Sequence, residues 1–415
     1  MNFPQMYKIR QEFPRLGIND IKSAVRSVLS SSDLKNRIGS GARVGITAGS
    51  RGINSIDLIL QEVVSYVKSC GGMPVLLAAM GSHGGGSPAG QRKILNSLGI
   101  TEEKTGAPVI CSTDCIVIGQ AFYGDIYLIR EALECDAVIA VNRIKPHTSF
   151  HGDFESGLLK MLAVGLGGPP GAASLHRCQP HLLSKAVEEA GKAVLNVLPV
   201  SLGLAILEDA YDEVRKIVAI QPEVLSETEK TLLNEARSYL PGLPVSELDV
   251  LIVDEIGKNF SGTGMDTNVI GRLRIEGSPE PALPRIKRIV VLDLAREAHG
   301  NAYGIGLADF ATSRLVRKMD RKAVYLNALT STFVRRAMIP MTFPSDREAI
   351  WAALVSTGTP EPEKSRLIRI HNTLHLSEML VSESVFQEIS SLPHIHKIAG
   401  PGILKFNSKG NLAPF

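Results

Sequence analysis

Short apolar runs rich in Val and Ile alternate with longer stretches in which apolar residues recur every three or four positions. RVGITAG is followed by NSIDLILQEVVSYVKSCGG, then MPVLLAAMG, then SPAGQRKILNSLG. A short β-branched run reads as a buried strand and a 3.6-residue recurrence as an amphipathic helix, so the chain opens strand, helix, strand, helix. Further strands are predicted at DAVIAVN (136–142), GLAILED (203–209), ELDVLIVDE (247–255) and KRIVVLDL (287–294). Helical patterns separate most of them, which predicts an α/β fold of two domains with largely parallel sheets. Two prolines and a glycine break the chain in SYLPGLPVSELD, at 238–249. The junction is therefore placed between a first domain over 1–243 and a second over 247–371. The segment from about 372 to 415 reads as a short strand among turns, expected to pack back on the first domain.

In an open parallel sheet, ligands bind beyond the carboxyl ends of the strands. The first such loop, TAGSRGI, carries Ser50 and Arg51; the second, GSHGGGSP, carries His83 among glycines. Gly84 and Gly85 would let the backbone approach a phosphate or cofactor, although the pattern is neither a Walker loop nor GxGxxG. A plain surface turn explains the same residues.

The densest chemistry lies in KPHTSFHGDFESGLLKM, Lys145 to Met161. Pro146 keeps Lys145 extended, and a helix is predicted from Phe154 or Glu155, with Asp153 as N-cap, ending at Gly165 and the GLGGPPG loop. Lys160 then lies among Leu158, Leu159, Met161 and Leu162, where lost solvation would ease its deprotonation and make it a nucleophile or acylation target. A lysine whose head reaches water is the other reading. His147 and His151 have the four-residue spacing of helical zinc ligands, but Pro146 and Gly152 oppose a helix there, and proton transfer suits two loop histidines better. His176, Cys178 and His181 are candidate metal donors without a CxxC or HExxH pattern.

Charge and composition narrow the field. The chain has 415 residues, 44% hydrophobic and 21% charged, with a net charge of +3. It is long enough for two cores, and no basic run forms a nucleic-acid stripe. The amino terminus lacks the apolar core of a secretory signal, and no window reaches membrane-spanning length, so a cytoplasmic protein without nucleic-acid or membrane partners is expected. Five cysteines with no CxxC suit reduced thiols.

TAGSRG, GSHGG, PHTSFHGDFESGLLK and the later His176 resemble, in order and separation, the nickel-pincer nucleotide-dependent lactate racemase (LarA-like) family of 2-hydroxyacid racemases and epimerases. GKNFSGTGMDTNVIGRLR looks like that family's glycine-rich loop in the second domain, so the resemblance covers most of the chain. It implies a cofactor-binding first domain and an active-site cleft between the domains. The implied cofactor is the nickel-pincer nucleotide, a nickel pyridinium-3,5-bisthiocarboxylic acid mononucleotide. By the same resemblance Lys160 matches the cofactor-anchoring lysine, His176 the nickel ligand, His83 one acid/base histidine, and Arg51 an active-site arginine. Ser50, Gly84, Gly85 and Ser156 fall in cofactor-binding positions. Arg274 lies where the family commonly has a substrate-binding lysine. His147 or His151 matches the second acid/base histidine: His147 keeps the proline-histidine pair, and His151 has nearly the family's distance to the lysine. Implied partners are a small 2-hydroxyacid and the proteins that make and load the cofactor, with homo-oligomerisation left open.

The chain departs from the family in two places. Thr47, Ala48, Gly49 and Ser50 replace an acidic residue before the arginine, and HGDFESG replaces the usual AGFSGG turn. Those departures bear on the substrate and suggest a distant branch. A Schiff-base or zinc-dependent hydroxyacid lyase, and a non-catalytic nucleotide- or cofactor-binding protein, are the alternatives.

Overall fold

The computed structural model describes residues 1–415. The chain forms two units, Pro14–Leu240 on one hand and Met1–Phe13 with Pro241–Phe415 on the other. The first unit is built on a six-stranded sheet in the order Val109–Ile110, Met73–Ala78, Arg43–Ala48, Ala137–Arg143, Val200–Glu208, Val214–Ile220. The first five strands run parallel, and the last returns antiparallel along Val200–Glu208.

The Val- and Ile-rich runs form strands because both sheet faces are covered, so consecutive residues are buried with no polar alternation. Val44, Ile46, Val138 and Ile139 have no exposed surface. One covering helix, Ile56–Ser69, turns Ile59, Leu60, Val63 and Val67 inward. Another, Pro88–Ser97, starts where the Ser87 side chain accepts the Gly90 N–H and Pro88 occupies the first turn. An additional antiparallel hairpin, Cys115–Ala121 with Gly124–Ile129, has no counterpart in the sequence reading.

The second unit carries an eight-stranded sheet: Met341–Phe343, Phe310–Thr312, Arg285–Leu294, Glu247–Ile256, Leu367–Ile370, Glu378–Ser382, Met6–Gln11, Ile395–Gly402. Its first five strands are parallel and the remaining pairings antiparallel. This corrects the expected chain return. The segment after 372 stays with the second unit, and the amino-terminal strand Met6–Gln11 joins it there, pairing on both edges with late strands.

Two local expectations are also corrected. The helix expected from Phe154 or Glu155 starts instead at Leu158, after Gly157. The preceding residues are committed elsewhere: Ser156 bridges Lys145 through the backbone, and Asp153 pairs with Lys230 at 3.3 Å. The helix then widens into a π turn over Met161–Gly165. GLGGPPG does not remain a loop, because Pro169 and Pro170 fit the first turn of a new helix, Gly168–His176, where no intrahelical N–H is needed. All five cysteines are free thiols, and no helix is long and apolar enough to cross a membrane.

Candidate functional site

Two of the carboxyl-end loops in the first unit hold predicted polar residues, and two further strands end in charged residues that the sequence reading did not single out. Ser50 and Arg51 follow Arg43–Ala48, His83 follows Met73–Ala78, and Arg143 and Glu208 are the last residues of their own strands. The loops are tied together. Ser50 Oγ is hydrogen-bonded to His83 Nδ1. Arg143 pairs with Glu208, whose other oxygen accepts the Asn54 N–H at 2.8 Å and so pins the loop bearing Arg51.

The glycine loop takes its shape from consecutive left-handed residues, with φ of 71° at Gly84, 66° at Gly85 and 61° at Gly86. A side chain at Gly84 would meet the Gly90 carbonyl carbon at 2.5 Å, so Gly84 serves packing. Gly85 has nothing within 4 Å of that direction, which leaves its backbone open to a ligand.

The segment after Arg143 forms a closed loop. Lys145 donates its N–H to Ser156 O at 2.9 Å, and Ser156 returns the bond to Lys145 O at 3.3 Å. Inside it, Phe150 and Phe154 are buried, and Phe150 lies 4.4 Å from the His147 ring between centroids. Glu155, with no exposed surface, accepts the backbone N–H groups of His147 at 2.5 Å and Gly152 at 3.1 Å. It also accepts the Arg237 guanidinium at 2.7 Å and faces His151 Nδ1 at 3.4 Å. Burial would raise this carboxyl, but the bonds from His151, the His147 N–H and Arg237 outweigh it and hold the group below its ordinary range.

Lys160 projects from the short helix to within 5.4 Å of the Phe150 ring centroid. Loss of water, then the nearby positive charge of Arg51, lowers its pKa to about 7, with Glu155 opposing. Arg51 is itself lowered by crowding protein atoms and by Arg143, although its side chain keeps access to solvent. His176, at the carboxyl end of Gly168–His176, is lowered by its surroundings and then by Lys160, which favours neutral imidazole. The π turn after Lys160 also touches the first loops: Gly81 donates to Gly165 O at 3.2 Å, and a side chain at Gly49 would meet Met161 Cε at 3.0 Å.

Ser50, Arg51, His83, His147, His151, Ser156, Lys160 and His176 thus belong to the first unit, linked through these contacts. Arg274 belongs to the second unit, where it pairs with Asp309 at 2.6 Å and lines a cavity of about 530 Å³ at the starts of the parallel strands. Cys178 and His181 join no metal set, and nowhere do three or more His, Cys, Asp or Glu side chains gather as metal ligands. Sequence reasoning missed Glu155, Glu208 and Arg237. Glu155 was legible only as an acid at the expected helix start, and the other two lie far along the chain.

The first unit is thus a parallel-sheet α/β unit whose strand-end loops, with the short helix after one of them, carry histidines, an arginine and a lysine. Among solved structures, the lactate racemase apoprotein from Thermoanaerobacterium thermosaccharolyticum has this fold: it is 13% identical, with a TM-score of 0.50, over 89% of this chain and 98% of that chain. The chain therefore has a lactate racemase-like fold. No protein-family model and no curated protein sequence matches it.

Proposed function

We propose that the protein is a racemase or epimerase of a 2-hydroxyacid that works with a nickel-pincer nucleotide. The observation that carries the reading is the grouping of Lys160 with Arg51 and His176, beside the Ser50–His83 pair, on the scaffold shared with lactate racemase.

The donor chemistry fits that cofactor. A lysine with a pKa of about 7 offers free amine for a covalent bond at neutral pH, and a neutral His176 offers one imidazole nitrogen to nickel. The open backbone at Gly85 suits its anionic groups.

When bound, the nucleotide supplies the hydride acceptor and donor. Everything else falls to this chain's residues. Arg51 orients the substrate carboxylate through its planar guanidinium. His83, whose Nδ1 is hydrogen-bonded to Ser50 Oγ, takes the substrate hydroxyl proton as its acid/base group. A histidine of the 147–151 loop serves the other antipode, and the substrate passes through the 2-keto acid.

The test is nickel content and intact mass of protein co-produced with the nickel-pincer biosynthetic enzymes, followed by racemisation assays on 2-hydroxyacids. Expected are about one nickel per chain, cofactor loss in Lys160→Ala, and in His83→Ala a normal load with turnover lower by about 10²–10⁴-fold. Equal loading of Lys160→Ala and wild type contradicts the anchoring role. No nickel where a control racemase loads, with borohydride trapping substrate on Lys160, means a Schiff-base enzyme.

A further inference from the structure

We propose that Glu155 is a positioning residue that sets the two histidines of its loop to opposite tasks, His151 as proton acceptor and His147 as hydrogen-bond donor. The inference rests on the reading above for the purpose of those tasks and on geometry alone for the assignment.

Glu155 is fully buried, and each of its oxygens faces two donors: Oε2 the His147 N–H at 2.5 Å and His151 Nδ1 at 3.4 Å, Oε1 the Gly152 N–H at 3.1 Å and Arg237 at 2.7 Å. Arg237 also donates to Gly152 O at 2.9 Å, closing the clasp from outside the loop. A carboxylate can only accept, so the His151 nitrogen facing it carries the proton, and Nε2 of the neutral ring is left with its lone pair. The 3.4 Å separation is long for such a bond; catalytic hydrogen bonds often tighten only when substrate is bound.

His147 is set the other way. Its Nδ1 accepts the Ser149 N–H at 3.1 Å, so the proton of the neutral ring lies on Nε2. That ring gains a second proton only by giving up the Ser149 bond. The loop therefore presents one Nε2 acceptor and one Nε2–H donor, fixed by one buried carboxylate through a ring on one side and a main-chain N–H on the other. A loop needing only closure has it already in the Lys145–Ser156 backbone pair. Four donors on one buried charge are more than closure demands.

Glu155→Gln preserves volume but puts an amide donor where two donors already point. The direct measurement is nitrogen NMR of histidine-labelled protein, with amide exchange of His147 and Gly152 read on the same samples. We expect wild type to show His151 as the Nδ1–H tautomer and His147 as Nε2–H, with both amides protected. In Glu155→Gln, His151 should move toward Nε2–H and both amides should exchange at least tenfold faster. Loaded enzyme should lose about 10²-fold in kcat with KM within about twofold, as expected for a misdirected proton acceptor.

Should Glu155→Gln fail to fold, Arg237→Ala replaces it. It removes one outer donor, and the Gly152 amide should then exchange faster than that of His147. Wild-type His151 as Nε2–H, or unchanged tautomers and exchange in Glu155→Gln, overturns the inference. Tautomers as stated in a protein that racemises no 2-hydroxyacid would sink the racemase reading and leave the assignment standing.

Discussion

At the scale of single residues, the site depends on how far protein surroundings shift Lys160. An ordinary lysine stays charged until a pH near 10.4. Here desolvation and the Arg51 charge bring the value to about 7, so near that pH about half the molecules carry free amine. Limited acylation followed by peptide mass analysis across pH 6–10 should give Lys160 a midpoint near 7, well below the ordinary lysine range. Arg51→Leu removes the second cause and should move the midpoint upward. A Lys160 midpoint near 10 in wild type would show that its head lies in water, and the anchoring role would lose its physical basis.

At the scale of elements, the short helix bearing Lys160 is held by a buried acid. Glu229, 1% exposed, accepts the Leu159 N–H at 2.9 Å, and a side chain on Gly157 would meet Glu229 Oε1 at 2.1 Å. Burial pushes this carboxyl up to about 7, against the backbone N–H groups of Leu159 and Leu158. The folded value exceeds the unfolded one, so between about 4.5 and about 7 the native state binds more protons. The group's contribution to stability is thus fully present below pH 4.5 and is lost as pH rises through about 7. The loss is of the order of 3 kcal/mol. Urea unfolding over that range should show wild type losing stability relative to Glu229→Gln, whose amide does not titrate, with the expected slope. A pH-independent difference would mean that Glu229 titrates normally. Gly157→Ala should cost about 1–3 kcal/mol at any pH, through overpacking against the same carboxyl.

These elements also show what sequence could and could not convey. Arg43–Ala48 and Met73–Ala78 were readable because a strand buried on both faces must be apolar throughout. The motif residues were readable because they sit in strand-end loops. The start of the Lys160 helix was not, because Glu155 looks like a first-turn acid until the donors it serves, one of them on Arg237, come into view. Nor was the Glu229 cap, which reaches across 70 positions of chain to Leu159.

At the scale of the molecule, the first unit is inserted after the opening strand of the second. Met6–Gln11 is not an edge. It pairs with Glu378–Ser382 and Ile395–Gly402, Ile9 has no exposed surface, and the Tyr7 ring stacks on Phe386 at 4.2 Å between centroids. The pattern MYKIRQ gave no hint that its partners lie some 370 residues away, since alternation in a strand identifies a buried face without naming the neighbour that covers it. Ile9→Ala should therefore act on the end of the chain. Removing a buried isoleucine side chain costs about 2–5 kcal/mol, and the weakened strand should release both of its partners. In hydrogen exchange, amides of 378–382 and 395–402 should lose protection, while those of Arg43–Ala48 and Met73–Ala78 keep theirs. Equal loss in both sheets would mean that the two units unfold as one, and loss confined to 43–48 would place the opening strand with the wrong sheet.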